Sequence, residues 1–384
     1  MLSRRHLRIK VFQALYALEA ARDANQRLSE DMIAEDFKPD LNSMAHQDTG
    51  LLESLTKSAL LSFQEGVLAH TVVADNIDPK AFVAAKNALA LYQRKLREDH
   101  QRIAKNLIPE VDGIYTSYVN ILQLFVELSQ LSANERNREY TDSDNPLARA
   151  SGLDTNQVFV ALKNHSPLAN DAIRRGISWQ NELNFVKKIF REIIIKDEKY
   201  RNYCSLTNHS TEADLELADY TLKQIIFKNE EIVDYFEKAD LYWAENGDLV
   251  RRMIGRTFKS ASEIDGLKLT PLTDAWDEDQ YFMEELFKQT VDNGEVYSKY
   301  INEPLKNWDM ERLALTDSLI LKMGIAEMIG FSGIPVKVTI NECIELAKEY
   351  STLKSGKFVN GILDTVSKQL LKDNIVRKSG KGLI

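Results

Sequence analysis

Three observations predict an all-helical fold. Glycine and proline are scarce, 16 and 8 in 384 residues, against average usage of about 7% and 5%; these are the residues that break helices and build hairpin turns. Apolar residues recur at three- and four-residue spacing in one segment after another, the period of a helix with one buried face. The stretch Pro335–Asp364, PVKVTINECIELAKEYSTLKSGKFVNGILD, reads as two helices. Thr339 followed by Glu342 has the form of a capping box, in which each side chain satisfies an orphan amide at a helix start.

Taken in order, the first helix is expected from Ser3 to just before Asp23, burying Leu7, Val11, Leu15 and Leu18. Arg4 and Arg8 share another face, as do His6 and Lys10, each pair four residues apart. Residues 23–48 are polar, acidic and contain Pro39, and read as a linker. Helical patterns resume at 50–70 and 79–107, and Val111–Leu131 is the most apolar segment. A polar break is expected over 132–152, around Asn145–Pro146 and Ser151–Gly152. Further helices are expected at 168–175, 180–200, 212–240 and 246–260, then a turn from Gly266 to Asp274 around Pro271. Helices at 276–302 and 309–329 follow. The second of these carries Ile320, Met323, Gly324, Ile325 and Met328 and is apolar enough to be central. The last two helices bury Ile340, Cys343, Ile344 and Ala347, then Phe358, Ile362, Val366 and Leu370. Between these stripes, Lys357, Phe358, Asn360 and Gly361 crowd a helix start, an arrangement of cation, aromatic and amide suited to gripping a ligand.

Composition narrows the function classes. The length suffices for two or three domains. Two cysteines, Cys204 and Cys343, make neither a disulfide framework nor a four-ligand zinc site. Histidines 6, 46, 70, 100, 165 and 209 are scattered without an HExxH pattern, and no GxxxxGK[ST] or GxGxxG phosphate cradle occurs. No metal, cofactor or catalytic centre is therefore expected. The acidic run Asp277–Asp279 is read as a helix start facing its dipole. No apolar run reaches the roughly 18 residues a membrane span needs, and MLSRRHLRIK lacks an apolar signal core. A cytoplasmic protein without a membrane partner is expected.

The net charge of −9 is unevenly spread. Residues 1–22 hold Arg4, Arg5, Arg8, Lys10 and Arg22 against Glu19 alone, and the C-terminal end is basic again at Lys372, Arg377, Lys378 and Lys381. A basic arm on an acidic body binds anions locally while the body resists indiscriminate binding.

Read together, the two ends resemble the NusB family of bacterial transcription antitermination factors. The resemblance rests on RRHLRIKVFQALYALE near the N-terminus and on TDSLILKMGIAEM, PVKVTINECIELAKEY and KFVNGILD near the C-terminus. It implies an all-α, antiparallel helical bundle formed by the N-terminal helix and the C-terminal helices. It also implies boxA-type single-stranded RNA as ligand, the small-subunit ribosomal protein NusE as partner, and work with the transcription elongation complex in ribosomal RNA synthesis. Most of residues 25–270 has no counterpart in the family's short form, so the expected organisation has four parts. Residues 1–24 are the basic arm and first helix, 25–270 a helical insertion, 271–375 the main part of the bundle, and 376–384 a basic tail.

Carried over residue by residue, the resemblance points to Arg4, Arg5, Arg8, Lys10, Gln13 and Tyr16 at one end and to Lys357, Phe358 and Asn360 at the other as RNA contacts. It points more loosely to Asp317 as a contact for the protein partner. Arginine suits phosphate because its planar guanidinium donates two parallel hydrogen bonds and keeps its charge. Tyr16 and Phe358 have the π-faces on which unpaired bases stack, although helical spacing equally makes them core aromatics. Asn360 either reads a base edge or caps its own helix. Gly361 is read as permitting close helix packing. Two other readings remain. One is an interaction scaffold whose insertion carries the biology. The other is part of a ribosomal RNA methyltransferase, which would need an α/β cofactor domain and a reactive cysteine where the insertion offers only Cys204.

Overall fold

The computed structural model describes residues 2–383 apart from 41, 43–45, 75–76, 142–150, 264–265 and 308–312, and describes the backbone alone at 138–141. The described chain is helical, as expected. In order come α1 (Arg4–Asp36), α2 (Thr49–Ala69), α3 (Pro79–Thr141), α4 (Gln157–Lys163) and α5 (Ser166–Arg174). Next are α6 (Leu183–Lys188), α7 (Glu198–Cys204), α8 (Thr211–Tyr220), α9 (Glu230–Ala239) and α10 (Trp243–Ser260). The last five are α11 (Trp276–Asp292), α12 (Gly294–Asn302), α13 (Leu315–Gly330), α14 (Val336–Tyr350) and α15 (Ser355–Lys372). No described helix is long and apolar enough to cross a membrane.

The chain forms two compact units. One comprises Arg4–Ile108 with Glu278–Ile384, the other Met1–Ser3 with Pro109–Asp277. Residues 25–270, expected as one insertion, are thus shared between them: 25–108 belong with the N- and C-terminal helices and 109–270 with the second unit.

In the first unit, α13 is central and packs on α1, α12, α14 and α15. Ile320, Met323, Ile325 and Met328 are buried on it, as its apolar sequence requires. Short turns after α13 and α14 reverse the chain, making neighbours antiparallel. A Cβ at Gly324 would lie 2.9 Å from Cys343 Sγ and 3.2 Å from Leu363, so this glycine lets α13 approach α14 and α15 closely. Gly361, expected in that role, is exposed, with nothing within 4 Å of a Cβ. The C-terminal residues dock rather than trail: Val376 is buried, Lys378 Nζ donates to the Phe331 carbonyl, and Ser379 N donates to that of Ser332. Burial lowers the Lys378 pKa, with Glu327 opposing the shift.

Several expectations need correction. The first helix does not end before Asp23. It runs to Asp36, because Asn25, Ser29 and Ile33 continue a buried face in which Asn25 Nδ2 donates to Asp99 (2.8 Å). A second cluster then joins Ile33, Phe37, Leu55 and Phe63 to Ala81, Ala84, Ala85 and Ala88, whose small side chains let α3 sit close. The segments 79–107 and 111–131 are one helix through Pro109, with Leu107, Val111 and Ile114 all buried. The expected break at 132–152 is helical to Thr141. Ser132 is buried and bonded to Asp154, and Ser151 Oγ donates to the Leu206 carbonyl. Asn145–Pro146 lies outside the described residues, as does the expected helix start at 309. The 276–302 helix is two, interrupted at Asn293.

The capping box does not form. α14 starts at Val336 behind an extended Pro335, so Thr339 lies inside the helix, and its hydroxyl donates to Glu327 Oε1 (2.6 Å). A buried carboxylate with open acceptor positions outcompetes a local cap that solvent could satisfy.

In the second unit the apolar part of α3 is the spine. Phe125 stacks on Phe159 (5.2 Å) and meets Phe258 edge-on (5.2 Å). Tyr118 OH pairs with Thr257 Oγ1 (2.6 Å) and accepts from Thr270 N (2.9 Å); burial pushes its pKa up to about 12. Two i→i+5 turns, Ile189–Ile194 and Thr221–Ile226, interrupt the expected longer helices. Gln157–Lys163 forms a helix that the sequence did not suggest, capped by Asn156.

Replacing Gly324 by valine is expected to cost about 1–3 kcal/mol through overpacking, while the same change at Gly361 stays within about 0.5 kcal/mol, as at an ordinary surface site. Guanidinium unfolding of both variants checks this; equal midpoints would contradict it.

Candidate nucleic-acid interface

The N-terminal cations do not form a free arm. Leu2 is buried and its amide donates to the Leu272 carbonyl (2.8 Å), and α1 begins at Arg4. Arg8, expected as a phosphate contact, is 3% exposed. Its Nε and Nη2 donate to the two Glu327 carboxylate oxygens at 2.6 and 2.9 Å, and its Nη1 lies 3.7 Å from Glu342. Burial alone would lower the Arg8 pKa, but the hydrogen-bonded Glu327 carboxylate more than offsets this and holds it above the ordinary value. Arg8 is therefore corrected from an RNA contact to a core ion pair. Lys10, 2% exposed, is likewise withdrawn from the surface. Gln13 is half-buried and, like Lys10, makes contacts of its own within the structure.

Arg4 and Arg5, one turn earlier, reach solvent. Arg4 lies 3.3 Å from Asp279, with its guanidinium 4.4 Å from the centre of the Phe282 ring. Arg5 is 3.6 Å from Glu349 and 3.9 Å from Glu345. The Arg5 pairs, half-exposed on both sides, contribute only about 0–1 kcal/mol, so a phosphate can displace those carboxylates at small cost, whereas Arg4 is held by an Asp279 that is itself buried. About three turns further on, Tyr16 is 46% exposed. Phe12, one turn before it, packs against Tyr350 at the end of α14 (5.2 Å).

The second group sits just beyond Tyr350. Asp317, expected at the partner surface, is 6% exposed and accepts from Ser355 Oγ (2.9 Å). Ser355 Oγ also pairs with Thr352 Oγ1 (2.8 Å) and Ser351 Oγ (3.0 Å), and Thr316 donates to Ser351 (3.0 Å). Asp317 is thus corrected to an internal support that fixes the turn 351–355 at the start of α15. From the first turns of that helix Lys357 and Asn360 project into solvent and Phe358 is half-buried, while Val359, Ile362 and Leu363 face the core. Leu353, at the tip of the turn, is fully exposed.

Of the supporting acids, Asp317 and Glu342 were named in other roles and Glu327 was missed, although a signal existed. Glu327 interrupts the run LILKMGIAEMIG, and a lone carboxylate inside an otherwise buried helix demands a buried cation.

The sequence model of the NusB family matches residues 256–368. Over 103 residues the chain is 39% identical to a transcription antitermination protein NusB of Chloroherpeton thalassium, covering 27% of this chain and 49% of that protein. The relative from Salinibacter ruber is also 39% identical, over 27% of this chain and 64% of its own length. That from Methylacidiphilum infernorum is 45% identical, over 25% and 72%. The chain spans half to two thirds of the length of the first two of these relatives. No solved structure matches.

Arg8→Ala is expected to cost about 3–5 kcal/mol, since it strands a buried carboxylate, whereas Arg5→Ala costs about 1 kcal/mol or less. Chemical unfolding distinguishes them, and Arg8→Met combined with Glu327→Leu should recover most of the loss. Equal, small losses at both arginines would put Arg8 in solvent.

Proposed function

The chain belongs to the NusB family, and from that premise we propose that it is a non-enzymatic antitermination factor that binds boxA-type single-stranded RNA together with ribosomal protein NusE, in support of ribosomal RNA transcription. One observation carries the reading: the family match extends to residue 368 and so includes Lys357–Asn360, which present a cation, an aromatic and an amide on the first turns of α15, next to a turn braced from within. Lys357 supplies charge to a phosphate, Phe358 and Tyr16 offer faces to unpaired bases, and Asn360 hydrogen-bonds a base edge. Arg5 exchanges its surface carboxylates for phosphate, while Arg4, held by the buried Asp279, offers its solvent-facing edge. The NusE partnership rests on family membership alone.

The organisation that accompanies this reading assigns 1–24 and 271–375 to the family body, 25–270 to a helical insertion and 376–384 to a basic tail. A second reading, an interaction scaffold, draws on one observation: Pro109–Asp277 is a compact unit with its own core, and the family match enters it only at residue 256. The methyltransferase reading loses its reagent, since Cys204 is buried in α7.

Titration of intact protein with a boxA-like RNA, with and without NusE, tests the proposal. Tyr16→Ala is expected to weaken binding by about 1–3 kcal/mol, and Lys357→Ala to reduce the salt slope by about 0.7. Absence of binding at physiological salt in either condition would overturn the reading and favour the scaffold.

A further inference from the structure

Within the first unit, α1, the end of α2, the first third of α3, the α11–α12 junction and α13 enclose a cavity of about 560 Å³. Small-molecule sites fall at roughly 300–1,000 Å³. Part of its wall comes from α2 and α3, which lie outside the family match. Leu15, Leu18, Leu89 and Leu319 are buried and line it, giving an apolar floor. Leu68 and Val296 stand exposed among the lining residues, so the approach is apolar as well.

Two polar side chains in this wall that are not exposed lack a hydrogen bond or ion pair among the described residues. Tyr92 is 6% exposed, packs edge-on against Phe63, and its hydroxyl makes no hydrogen bond among the described residues. Burial raises its pKa, and its phenol feels Arg22 and Glu19, both of which line the same cavity. Lys322 is half-buried on α13 and has no ion pair among the described residues. Arg22, by contrast, is held by Glu19 at 2.9 Å. The open groups of the inner wall are therefore donors, an ammonium and a phenol, above leucine.

We propose that this cavity binds an aliphatic monocarboxylate, its chain lying on Leu15, Leu18, Leu89 and Leu319 and its carboxylate meeting Lys322 and the Tyr92 hydroxyl. Single charge follows from the rest of the lining: Glu19, Asp292 and Glu295 outnumber Arg22 and Lys322, so a polyphosphate or RNA is repelled where one carboxylate is neutralised. A cationic amphiphile is disfavoured because Lys322 is half-buried whereas Asp292 and Glu295 are exposed to solvent. Water alone is poorly suited to a floor of leucines. The inference is independent of RNA binding.

Calorimetric titration of the intact protein with decanoate, decanol and ATP tests it. Decanoate should bind saturably at one site, decanol about tenfold or more weakly, since a hydrogen bond to a charged group is lost, and ATP not at this site. Lys322→Met, at a half-exposed position, should weaken decanoate about tenfold and leave decanol unchanged. Leu89→Trp, which fills the floor, should abolish both. Absence of saturable decanoate binding, or equal decanoate affinity in wild type and Lys322→Met, would overturn the proposal whether or not Leu89→Trp folds.

Discussion

The buried contact between Arg8 and Glu327 is the constraint on which the first unit depends. Two ions removed from water are tolerated only when their hydrogen-bonding capacity is filled. Here Glu327 accepts from Arg8 twice and from Thr339 once, and Glu342 adds charge 3.7 Å from the remaining Nη1 without a hydrogen bond to it. Helices α1, α13 and α14 each contribute a member, so none of the three can rotate or slide without stranding a charge. That sets the register of α1. With Arg8 inward, Arg4 and Arg5 fall at the edge of the bundle, Phe12 meets Tyr350, and Tyr16 faces solvent.

A smaller polar device does the same for the other half of the candidate interface. Asp317 on α13 holds Ser355, and through it Ser351 and Thr352, so the turn leading into α15 is tied to the central helix. The groups proposed to meet RNA thus ride on rigid supports, which limits the ordering cost of binding. Their setting is selective too. The surface arginines already face carboxylates, and the chain as a whole carries −9, so a nucleic acid must compete for each cation. Weak surface pairs yield to a well-placed phosphate, whereas unspecific contact with a polyanion gains little.

Much of this was legible in the sequence, for reasons that differ from residue to residue. The stripe of Leu7, Val11, Leu15 and Leu18 and the apolar run of α13 announce burial because periodicity is local information. Lys357 is exposed because it falls opposite the Val359, Ile362 and Leu363 face of one helix, and Asn360 because it lies at the edge of that face. What failed was tertiary. Thr339 and Glu342 have the spacing of a local cap, yet their partners lie on α13 and α1. Arg8 looks like one more surface cation until Glu327 is placed beside it. Polar stretches at 23–36 and 132–141 read as linkers because a helix face of Asn, Ser and Arg is recognisable only with its partners, Asp99 and Asp154, in view. Gly361 and Gly324 exchange roles because spacing does not reveal which helix face a neighbour approaches.

Native-state hydrogen exchange on the intact protein tests most directly whether Arg8–Glu327 makes the N-terminal helix one cooperative piece with the family core. Amides of Val11–Leu18 in α1 and Leu319–Met328 in α13 should open with the same free energy and lose protection together in Glu327→Leu. Opening of the α1 amides at far lower cost, unchanged by that substitution, would contradict the account.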